Sequence, residues 1–134
     1  QMKQPTVQVA LDLNDEWAKA QEGSDAPSML ITGVVVARSA FIDENPQAVS
    51  DFLDAYKQSV AYANEHVDET AALIGQYDII TEEVAKGALP QCAIVYIDGE
   101  EMTQALSGYL QVLYDQNPAS VGGALPDEAF YYQR

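Results

Sequence analysis

The chain has 134 residues, 48% of them hydrophobic, which is enough to fill one core of ordinary domain size. Six basic residues against 21 acidic ones leave a formal charge of −15, so phosphate backbones and anionic membrane surfaces are repelled, and nucleic acid is not expected as a partner. The single cysteine, Cys92, cannot form an internal disulfide, and with one histidine, His66, there is no ligand set for a structural zinc.

The first element comes from residues 6–11, which alternate as a strand does and run into Asn14 or Asp15 as the cap of a short helix through Lys19. Residues 21–28 gather Gly23, Ser24, Asp25, Pro27 and Ser28 without an apolar period and are expected to form a loop. Residues 29–37 are nearly continuous and rich in β-branched side chains, as in a strand buried on both faces of a sheet. Their length is about half of the roughly 20 apolar residues that a membrane-spanning helix requires.

Asn45 and Pro46 then open a helix, because Asn caps well and Pro suits the first turn. Val49, Phe52, Leu53, Tyr56, Val60 and Ala63 fall on one face of it, opposite Ser50, Asp51, Asp54, Lys57 and Gln58. Residues 64–66 break this helix. A further helical segment follows over residues 67–74, closed by Gly75, and Thr81 starts another that ends near Gly87 and Pro90. Residues 93–97 read as a short strand before Asp98 and Gly99. A last helix carries Met102, Ala105, Leu106, Tyr109, Leu110 and Leu113 on one face and stops at Asn117 and Pro118. Gly122, Gly123 and Pro126 punctuate a tail whose Phe130, Tyr131 and Tyr132 are expected to pack on the body. Alternating strands and helices place the chain in the α/β class.

The reactive residue types do not assemble into a catalytic set. Cys92 and His66 belong to separate elements, and no oxyanion-forming glycine turn flanks the cysteine. Glu82 with Glu83, and Glu100 with Glu101, are adjacent on helices and point about 100° apart, so they suit the positive end of a helix dipole better than an acid and base facing one bond. The run Asp12, Asn14, Asp15, Glu16 lacks the glycine and the closing glutamate of a calcium loop, and no phosphate-loop context surrounds Gly122 and Gly123. Tyr56, Tyr109 and Trp17 are assigned to packing. No catalytic residue, metal ligand or cofactor is therefore expected, and the residues by themselves read as a soluble acidic α/β fragment without a catalytic constellation, not as an enzyme.

Over residues 33–46 an apolar run, Arg38, Phe41 and the triplet Glu44, Asn45, Pro46 open a long helix. In this order they resemble the periplasmic binding proteins of the sulfonate, taurine, nitrate and thiamine-precursor group. The likeness extends from residues 7–13 with Glu16 and Trp17 to residues 122–126 with Phe130, Tyr131 and Tyr132. It implies the C-terminal portion of a type II periplasmic-binding-protein fold, a β-sheet flanked by helices, with residues 1–134 as one segment of a longer two-lobed protein. The implied function is the extracytoplasmic solute-binding component of an ABC importer. It would capture a small organic solute, a thiamine precursor or a sulfonate, between two lobes for delivery to the permease subunits.

No basic segment followed by an apolar run opens the chain, so a signal peptide or an N-terminal lipid anchor, the sole expected link to a membrane, is assigned to sequence outside it. Most solute contacts are expected upstream of Gln1. Within the chain, Thr32 and Gly33 are the candidate ligand-binding residues. Thr32 is the one hydrogen-bonding side chain in an apolar strand, and Gly33 admits a close approach. Exposed sheet edges would favour a dimer of the fragment. Two alternatives stand beside this reading. One is an interaction module without a small-molecule ligand. The other is an enzyme like the thiamine-pyrimidine synthase of the same superfamily, whose histidine and cysteine chemistry finds no matching motif here.

Overall fold

The computed structural model describes residues 8–24 and 28–134. Thr6 and Val7 of the expected first strand, and Asp25, Ala26 and Pro27 of the expected loop, lie outside the described residues. Among the described residues six α-helices follow one another: α1 (Leu13–Ala20), α2 (Ser39–Glu44), α3 (Pro46–Glu65), α4 (Val67–Gln76), α5 (Glu82–Ala88) and α6 (Gly99–Gln116). Short 3₁₀ turns lie at Leu89–Gln91, Pro118–Val121 and Glu128–Phe130.

Helix makes up 64% of the described residues, and among them there is no strand and no sheet. The expected α/β class, with a β-sheet flanked by helices, is therefore corrected to an all-helical arrangement. Residues 8–11, 29–37 and 93–97 take no regular secondary structure and pair with nothing in a ladder. The reason is physical: a β-branched run favours extended φ/ψ by itself, whereas a strand exists only when a second segment supplies its hydrogen bonds. Residues 32–37 are accordingly exposed, Val36 79% so, while Leu30 and Ile31 are half-buried; none is buried on two faces.

The chain divides into two compact units, one holding residues 8–24, 28–36 and 97–134, the other residues 37–96. In the first, Asp12 caps α1 by accepting from the backbone N–H groups of Asn14 (2.9 Å) and Asp15 (3.4 Å). The cap thus falls two or three residues before the expected Asn14 or Asp15. The Trp17 ring meets Tyr109 of α6 at 5.3 Å, and its Nε1–H donates to the carbonyl and the hydroxyl of Ser28, each at 3.2 Å. Packing, as expected, is the role of both rings. Asn117 ends α6 and caps the turn behind it, where Gly122 and Gly123 take φ values of 80° and 90° that favour glycine. In the tail Tyr131 and Tyr132 are half-buried, whereas Phe130 is exposed and touches Tyr131 edge-on.

In the second unit, Pro46 at the first turn starts α3 at the expected place, although the Asn45 side chain does not cap it. Its amide instead donates backward to the Phe41 carbonyl at 3.1 Å, closing the six-residue α2, which has too little apolar period to be read from the sequence. Asn45 itself takes φ −134° and ψ 49°, outside the α region that a following proline disfavours. Val49 and Val60 of the apolar stripe are buried, while Phe52 is 51% and Tyr56 37% exposed. The remaining core joins α4 and α5: Ala71, Ala85 and Leu89 are buried, with Val67, Ile74 and Ile94 against them. Gly75 does not close α4 but lies inside it, and a Cβ built there would sit 3.1 Å from the Glu82 backbone nitrogen. A bare α-carbon is what lets α5 begin so close to α4.

Candidate functional site

His66 is the single residue between α3 and α4, with φ −123° and ψ 59°, and it ends one helix and begins the next. Its N–H donates to the Tyr62 carbonyl at 2.8 Å, and its carbonyl accepts from Thr70 N–H at 2.9 Å. Spacings of four and seven residues bring Tyr62, His66 and Glu69 to one side of this joint. The Tyr62 and His66 rings stack with centroids 4.4 Å apart and planes 24° from parallel. The Tyr62 hydroxyl donates to Glu69 Oε2, and His66 Nδ1 stands 3.5 Å from Glu69 Oε1. That hydrogen bond, with some desolvation and the negative charge of Glu69, pushes the Tyr62 phenol above its ordinary value. Glu65, His66, Val67, Asp68 and Glu69 line an open depression of ≈ 380 Å³ beside the joint.

A second group lies on the exposed stripe of α3. Phe52 and Tyr56 stack at 5.8 Å, Tyr96 meets Tyr56 edge-on at 5.8 Å, and the Lys57 ammonium lies 5.7 Å from the centre of the Tyr96 ring. The Asn64 amide donates to the Ile94 carbonyl at 2.9 Å and holds residues 92–96 near α3. Aromatic faces and one cation suit binding of flat or apolar groups. The spacing of Phe52 and Tyr56 on one helical face was legible in the sequence. The contact of Tyr56 with Tyr96 was not, since it joins positions 40 residues apart.

His66 is exposed at the junction of α3 and α4 and is engaged by Tyr62 and Glu69, while Cys92 is an exposed free thiol. Glu82 and Glu83 lie in the first turn of α5, Glu100 and Glu101 in that of α6, where they face the positive ends of those helices. Among the described residues no group of three or more His, Cys, Asp or Glu side chains is placed to hold a metal ion. Thr32 and Gly33 lie exposed in the irregular segment of the first unit, and a Cβ built at Gly33 would meet nothing within 4 Å.

The comparison with protein families falls on the stretch that carries most of these features, from the end of α1 to the start of α4. Residues 20–70 match the NMT1/THI5-like family. The match spans less than half of the chain and takes in Thr32, Gly33, Phe52, Tyr56, Tyr62, His66 and Glu69. The NMT1/THI5-like family is one of substrate-binding proteins that are mostly extracytoplasmic, though it includes a synthase. No curated protein and no solved structure matches the chain. No helix among the described residues is long and apolar enough to cross a membrane.

Proposed function

We propose that this chain is part of the solute-binding component of an ABC importer, working outside the cytoplasm. It would take a small organic solute, a thiamine precursor or a sulfonate, and pass it to the permease. The observation that carries this reading is the match of residues 20–70 to a family of substrate-binding proteins. The described residues agree with a binding role in the sense that their aromatic groups offer stacking faces and their one histidine is tied to Tyr62 and Glu69. In this reading Thr32 and Gly33 face the solute, and the dimer expected of the isolated chain arises by pairing of the open segment 29–37.

Equilibrium calorimetry on the intact protein, with alkyl sulfonates and pyrimidine precursors of thiamine as titrants, tests the proposal. The expected result is saturable binding with the titrant recovered unchanged. Conversion of the titrant without a stable complex would overturn it in favour of the synthase. Binding of neither class would leave the interaction module in its place. Thr32→Val removes one hydroxyl at nearly constant volume, so solute affinity is expected to fall several-fold, about 1 kcal/mol, with the fold unchanged. Equal affinity in the variant would remove Thr32 from the site.

A further inference from the structure

We draw no further inference here: the strongest candidate, the acidic depression lined by Glu65, His66, Val67, Asp68 and Glu69 at the joint of α3 and α4, rests on a cluster of carboxylates with no second feature that points to a ligand, since Tyr62 and His66 are already spent on Glu69.

Discussion

Replacing Gly75 by alanine tests whether the spacing of α4 and α5 is set by the absence of a side chain. In an unobstructed helix interior, glycine to alanine stabilises by roughly 1 kcal/mol, because glycine gives up more backbone freedom on folding. At Gly75 the new methyl would stand 3.1 Å from both the Cβ and the backbone nitrogen of Glu82, and 3.4 Å from its Cα. A backbone nitrogen cannot swing aside as the end of a long side chain can, so the start of α5 must retreat by a few tenths of an ångström. That retreat loosens Ala85 and Leu89 against Ala71, where the core of the second unit lies. Overpacking of this kind costs typically ~2 kcal/mol, which outweighs the propensity gain and leaves the variant about 1 kcal/mol less stable. For a chain of this length the midpoint should fall by about 4 °C in thermal unfolding followed by far-UV circular dichroism. Ala72→Gly, at an exposed position of the same helix, calibrates the propensity term and is expected to cost about 1 kcal/mol. A Gly75→Ala protein melting at or above the parent temperature would refute the close-approach argument.

Glu69→Gln removes the carboxylate that holds the Tyr62 proton, so the phenolate of Tyr62 should appear at lower pH in an ultraviolet absorbance titration; an unmoved midpoint would contradict the assigned cause. Because the folded value is raised, this bond supports the fold fully below the unfolded tyrosine value of about 10 and is lost as pH rises through the higher folded value. Asp12→Ala leaves two amides of α1 without their acceptor and should weaken that helix by about 1 kcal/mol, visible as faster hydrogen exchange at Asn14 and Asp15; unchanged exchange would mean the cap is idle. Trp17→Phe keeps a ring opposite Tyr109 but loses both bonds to Ser28, with an expected cost of about 1 kcal/mol in denaturant unfolding, and a neutral result would leave ring packing as the whole contribution.

Helices were the legible part of this chain, since their hydrogen bonds close within a few residues. The period from Val49 to Ala63 located α3, Asn45 and Pro46 located its start, residues 64–66 held its end, and Thr81 marked the start of α5. Ladder partners cannot be read from a single segment, and the apolar runs at 29–37 and 93–97 met none among the described residues. The same limit applies to the candidate sites. Tyr62, His66 and Glu69 are related by helical spacing and were within reach of sequence reasoning, had the joint been weighed as a place where side chains meet. Tyr96 and Ile94 come to α3 only through tertiary structure.

The link from α4 to α5 is short and open: Asp78 takes a left-handed φ of 53°, and Tyr77 and Ile79 beside it are exposed. A protease finds its easiest entry at such a tip. Yet the helices on either side are gripped elsewhere, through Ala71 against Ala85 and Leu89 and through the bond from Asn64 to Ile94. A single nick there should leave two polypeptides that migrate as one particle under native electrophoresis and part only in detergent. Such a pair, expressed as separate halves ending and beginning at this tip, would reassemble by the same grip.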